Sequence, residues 1–120
     1  MGGMAIRVDS ATNPQNCIKV RFDLSDNQCH VDKVVGGALT ADVGVAAFTY
    51  SAGTEAWAYF IGDYVYVVYN GTGLFPSGVL INDAGIINNT KHFSYTEDGA
   101  TYFENGRIIN QQNPIVAGVV

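Results

Sequence analysis

Over residues 17–24, CIKVRFDL, apolar and polar positions alternate without exception: Ile18, Val20, Phe22 and Leu24 on one side, Lys19, Arg21 and Asp23 on the other. A period of two belongs to a strand with one buried face. The turn residues SDNQ follow, and CHVDKVV resumes an extended pattern. A hairpin closing at Asp26-Asn27 is therefore predicted, with Leu24 opposite Cys29, Phe22 opposite Val31 and Ile18 opposite Val35. Its other face sets Asp23 beside His30 and Arg21 beside Asp32, and the matched charges favour that register.

Gly36-Gly37 and ALTADVG read as a small-residue loop, and VAAFTY, residues 45–50, as a strand. EAWAYFI and YVYVVYN then flank Gly62-Asp63, a two-residue connection of the Gly-X kind. That turn places Ile61 opposite Tyr64, Tyr59 opposite Tyr66 and Trp57 opposite Val68. The second face has Phe60 with Val65, Ala58 with Val67 and Ala56 with Tyr69. Both faces are apolar, so both need cover, from a second sheet and loops or from another subunit. With so short a chain a subunit is favoured; a central hairpin enclosed in one barrel is the alternative.

VLIND and GIINNT are short apolar runs consistent with buried strands. Further on, Asp98-Gly99 and Asn105-Gly106 are hairpin signals. Closing the chain at both gives a three-stranded meander that pairs Tyr95 with Tyr102, Tyr102 with Ile109, Phe103 with Ile108 and Glu104 with Arg107. No charged side chain follows Arg107, and the sequence ends in NPIVAGVV. Such a tail, residues 113–120, is either a strand of its own sheet or an arm docked on a neighbour. Residues 1–5 are expected to be a flexible N-terminus, with Met1 to Gly3 a candidate cloning remnant ahead of a start at Met4. No helical period is sustained anywhere. The pattern as a whole predicts one all-β domain over residues 1–120, an antiparallel sandwich or barrel of about eight or nine short strands.

Composition sharpens this. Only 14% of residues are charged and 48% are hydrophobic, against about 25% charged in ordinary soluble domains. Something besides water is expected to cover part of the surface. A net charge of -5 with no cluster of lysine or arginine argues against a nucleic-acid surface and against anionic membranes. Asp63 divides the most apolar region, leaving no run long enough to span a bilayer, and the opening MGGMAIRVD lacks the basic and apolar regions of a signal peptide. Cys17 and Cys29 fall on opposite faces of the predicted hairpin, which predicts two free thiols and a reducing compartment. Their spacing does not suit zinc.

Candidate chemistry is sparse. His30 with Asp23 and Asp32 can be drawn as a metal or acid–base site, but Lys19 and Arg21 share that face, and an ion-paired surface histidine is the simpler reading. His92, after Lys91, reads as a solvated strand end. Ser51, Ser77 and Thr72 sit in glycine-bearing turns; Asp98, beside Glu97, is used by its own turn. No G-x-S-x-G, P-loop, dinucleotide or H-E-x-x-H pattern is present. The expectation is a protein that is not an enzyme, with no catalytic residue, cofactor or metal. Trp57, Tyr59, Tyr64, Tyr66 and Tyr69 crowd one hairpin and read as subunit interface or core. They also suit stacking on a glycan, with Asn70 or Asn82 bonding its hydroxyls. Asn70-Gly71-Thr72 and Asn88-Asn89-Thr90 fit the glycosylation pattern and read as turn chemistry.

In texture, carried by stretches such as VGVAAFTYSAGTEAWAYF and LINDAGIINNT, the chain resembles small bacteriophage virion proteins: head-decoration, tail-tube or fibre-associated subunits. The resemblance implies a structural protein assembled in the host cytoplasm and located in the virion. Its partners would be copies of itself and other virion proteins, with contacts through the aromatic hairpin and through Ile115, Val116 and Val119 of the tail. A carbohydrate- or receptor-binding module is the alternative.

Overall fold

The computed structural model describes residues 2–10, 12–96, 104–108 and 115–119. Along the chain run β1 (Gly2–Val8), β2 (Cys17–Asp23), β3 (Gln28–Val35), β4 (Ala38–Ala47), β5 (Glu55–Ile61), β6 (Tyr64–Tyr69), β7 (Thr72–Gly73), β8 (Val79–Leu80), α1 (Ala84–Ile87), β9 (Lys91–Thr96), β10 (Glu104–Ile108) and β11 (Ile115–Val119). The protein is mostly β, as its sequence predicts. Five strands form a first sheet in the order β4-β3-β2-β1-β9, and six form a second, β10-β11-β5-β6-β7, with β8 also on β6. Every ladder is antiparallel, and neither sheet closes on itself among the described residues. No helix among those residues is long and apolar enough to cross a membrane.

Both sheets contribute to one hydrophobic core: Ile18, Val20 and Phe22 come from the first, Ala58, Phe60 and Val67 from the second. Edge-to-face aromatic contacts close one end of it. Phe48 lies 5.4 Å from Phe22 and 4.9 Å from Tyr69 between ring centroids, a geometry that suits the ring quadrupoles. The Tyr69 hydroxyl meets the backbone of Ser51, accepting from its N–H at 3.0 Å and donating to its carbonyl at 3.1 Å. That bond pins the loop leading into β5 to the core.

The hairpin of β5 and β6 has the predicted register, from Ile61 opposite Tyr64 to Ala56 opposite Tyr69. Gly62 takes φ 59°, the left-handed conformation that a two-residue turn of this kind demands and that glycine adopts without strain. The hairpin of β2 and β3 differs from expectation. Residues 24–27 form a four-residue turn, so Phe22 faces Cys29, Val20 faces Val31 and Arg21 faces His30. The Asp23 carboxylate accepts from the Ser25 N–H and the Asp26 carboxylate from the Gln28 N–H, local bonds that stabilise the wider loop. Because the shift is two residues, the faces are preserved and Ile18, Val20, Phe22, Cys29 and Val31 stay buried. Leu24 leaves the ladder and is 38% exposed. Cys17 and Cys29 are free, as expected; both are buried, Cys17 although it falls on the face read as polar, and burial pushes both thiols up.

Four further expectations need correction. The first concerns residues 1–5, whose segment 2–5 lies within β1 and is no flexible terminus. β1 sits inside the first sheet, between β2 and β9, and a Cβ on Gly3 would stand 1.8 Å from the Val20 carbonyl oxygen. ALTADVG, expected as a loop, lies within β4, which follows a two-residue turn at Gly36-Gly37 with φ of 57° and 81°. Its ladder with β3 is irregular between Val31 and Lys33, and Asp42 takes φ 57° in the extra chain. The run GIINNT begins within α1, whose N-terminus is capped by Asp83, the carboxylate accepting from the Gly85 N–H at 2.9 Å.

Last, the second hairpin of the C-terminal meander, the one pairing Glu104 with Arg107, is not formed among the described residues. β9 pairs with β1, and β10 pairs with β11 in the other sheet. Asn105-Gly106 lies within β10, at a ladder irregularity between Glu104 and Arg107, so the dipeptide marks a bulge where a turn is expected. Asp98-Gly99, Tyr102, Phe103 and Ile109 lie outside the described residues. Residues 115–119 of the tail form a strand of the second sheet, with β11 between β10 and β5.

Candidate functional site

Alternation along β5 and β6 divides their side chains cleanly. Ala56, Ala58, Phe60, Val65, Val67 and Tyr69 enter the core, while Trp57, Tyr59, Tyr66 and Val68 are half-buried on the opposite, outer face. Tyr59 and Tyr66, directly opposite in register, stack with ring centroids 5.3 Å apart and planes 12° from parallel. Toward the Gly62-Asp63 turn the same face becomes exposed: Ile61 at 61%, Tyr64 at 41% and Leu80 at 54%. Ile61 pairs with Tyr64 and Tyr64 with Leu80. Opposite residues of an antiparallel ladder project to one side about 5 Å apart, so these three form a continuous patch.

Of the residues singled out from sequence, Trp57, Tyr59, Tyr64 and Tyr66 thus share the outer face. Tyr69 does not: it is 3% exposed and packs in the core against Phe22 and Phe48. Ile115 stands opposite Tyr59, Val116 opposite Ala58 and Val119 opposite Glu55. Ile61 and Leu80 complete the patch and are not among the residues the sequence singles out. Ile61 is legible from the hairpin register, since it must face Tyr64. Leu80 is not, because β8 is two residues long and carries no period of its own.

A second cluster, wholly polar, lies on the first sheet. Asp32, 1% exposed, is ion-paired with Arg21 and accepts the Asp42 N–H at 2.8 Å. Arg21 Nη2 also reaches Asp42 Oδ1 at 3.3 Å. His30 lies between two carboxylates, its Nδ1 2.8 Å from Asp42 Oδ1 and its Nε2 3.1 Å from Asp26 Oδ2. The histidine is therefore paired with carboxylates as expected, with two corrections: it is only 8% exposed, and its partners are Asp26 and Asp42, not Asp23 and Asp32. Ligand atoms of Asp23, Asp26 and His30 lie within 4.8 Å of one another, but both carboxylates are already engaged by the turn. The hydrogen bonds from Ser25 hold Asp23 below the usual carboxylate range. The cluster ties β2, β3, their turn and the irregular part of β4 together, and this bracing accounts for a buried carboxylate in a sheet.

His92 is not solvated either. It is half-buried beside β1, and its Nδ1 accepts the Arg7 N–H at 3.2 Å. Its Nε2 is buried without a hydrogen-bond partner among the described residues. Burial, and secondarily the nearby Arg7 cation, push the imidazole down to about 4. Arg7 itself takes φ 54°, donates from Nη1 to the Asn89 carbonyl at 3.1 Å, and sets its guanidinium 5.0 Å over the Phe60 ring.

Fold and surface together define an open two-sheet antiparallel β protein with an apolar, aromatic outer face on its second sheet. No protein-family model matches the chain, and neither a curated protein nor a solved structure is significantly similar to it.

Proposed function

We propose that this protein is a non-enzymatic structural subunit: a β-sandwich protomer that associates with copies of itself through the outer face of its second sheet. The patch of Ile61, Tyr64 and Leu80, continued by Tyr59, Tyr66 and Trp57, is the observation that carries this reading. A contiguous apolar face in a chain so poor in charge favours burial against another apolar surface. A two-fold contact supplies that surface by self-complementarity, each patch meeting its own copy, whereas a contact between different patches builds rings or filaments. The resemblance in texture to phage head-decoration, tail and fibre-associated subunits supports a place in the virion, with assembly in the host cytoplasm and other virion proteins as further partners.

Light scattering after size exclusion tests the assembly. The protein is expected at a multiple of its 12.8 kDa protomer mass, and Ile61→Asp with Leu80→Asp, both exposed positions, should return it to that mass while leaving its melting temperature within a few degrees. A wild-type protein that stays monomeric at millimolar concentration would overturn the reading.

A further inference from the structure

Where the end of β4 approaches β6 and β7, a cavity of about 290 Å³ opens to solvent. Its apolar walls are Phe48, Tyr69 and Leu74, and its polar rim is Thr49, Asn70 and Thr72. The walls are fixed by bonds already described for the core and by three more: Phe48 N–H to the Asn27 carbonyl, Asn70 N–H to the Glu55 carbonyl and Leu74 N–H to the Val67 carbonyl. The Tyr69 hydroxyl is committed to Ser51, so this residue offers the cavity carbon surface. Asn70 sits at φ 51° beside Gly71 in the tight turn closed by the Tyr69 and Thr72 pair. The turn thereby fixes two of the three rim residues relative to one another.

The rim is chemically unspent. Thr49, Asn70 and Thr72 are exposed, and their side chains hydrogen-bond no other described residue. Two hydroxyls and one carboxamide offer both donors and acceptors, and among the described residues no charged side chain lines the cavity. An anion or a cation would find no countercharge there, and a purely apolar ligand would leave the rim's polar groups dry. The ligand that fits is neutral, carries several hydroxyls that both donate and accept, and has one carbon-rich face. The volume, just below the range of about 300 to 1,000 Å³ typical of ligand pockets, admits a single ring. We propose that this cavity is a binding site for one neutral pyranose unit of a glycan. The site is distinct from the outer face of the second sheet and does not depend on the assembly reading.

Saturation-transfer NMR observes the ligand and works at any assembly state. The probes are the methyl glycosides of glucose, galactose, mannose and N-acetylglucosamine. At least one should show saturable transfer, with an affinity on the order of 1 mM. The paired variant Asn70→Gly and Thr72→Val removes the rim groups conservatively: glycine accepts the positive φ and valine keeps the β-branched shape. It should melt like the wild type and bind at least about tenfold more weakly, while Ile61→Asp should leave the fitted affinity unchanged. Absence of transfer from all four glycosides overturns the proposal. So does transfer undiminished in the paired variant, which would place binding elsewhere, as on the stacked Tyr59 and Tyr66.

Discussion

Gly3 shows how much a single side chain can decide. β1 runs so close to β2 that a methyl group there would stand 1.8 Å from the Val20 carbonyl oxygen, and the obstacle is backbone, which cannot swing aside. Gly3→Ala should cost roughly 2 to 3 kcal/mol or more, at or above the upper part of the range for an overpacked core, and the urea midpoint reads it directly. An unchanged midpoint would mean that β1 is held more loosely than its burial indicates. His92 sets a different, pH-dependent demand. Its folded pKa of about 4 lies below the ordinary imidazole value, so the unfolded chain takes up the proton first. Stability is therefore complete above about pH 6.5 and declines as pH falls toward 4. The loss should be about 1 to 2 kcal/mol once solvent screening of a half-buried group is allowed for. His92→Asn, which keeps an acceptor for the Arg7 N–H, should flatten that part of the stability profile; an identical profile in the variant would assign the acid sensitivity to other groups.

Among the elements, those specified by local chemistry are the ones that can be read from the sequence. Gly62-Asp63 admits one short connection, and the β5 and β6 register follows from it. The β2 and β3 turn contains two aspartates able to bond the backbone of a wider loop, so its length is ambiguous while its faces are not. β4 escapes notice because its first five residues are exposed and show no apolar period. Asn-Gly serves a turn and a bulge alike, so the role of Asn105-Gly106 depends on what lies across the ladder. The tail is the element with most at stake. β11 fills the second sheet between β10 and β5, so removal of residues 115–120 should abolish cooperative thermal unfolding. Loss of assembly alone, with an intact melting transition, would instead return the tail to the role of an arm.

For the whole molecule, the pairings that make two sheets out of hairpins are non-local, and no neighbouring residues announce them. β1 with β9 and β5 with β11 join segments whose patterns, taken separately, say only that they are extended. The candidate surfaces divide in the same way: the outer-face stack of Tyr59 on Tyr66 follows from one hairpin, whereas the cavity rim brings together Thr49, from the segment after β4, and Asn70, from the turn after β6. The place of β1 also bears on synthesis. One edge of this strand is satisfied early by β2, but its contact at the other edge, Arg7 with His92, spans 85 residues. At roughly 5 to 20 residues per second, translation leaves that edge unclosed for several seconds, with the apolar side chains of a future core beside it. A nascent chain in this interval is a template for strand exchange with its neighbours on the same message, so crowded ribosomes or paused codons before β9 should raise the yield of aggregate without altering the stability of molecules that complete the sheet.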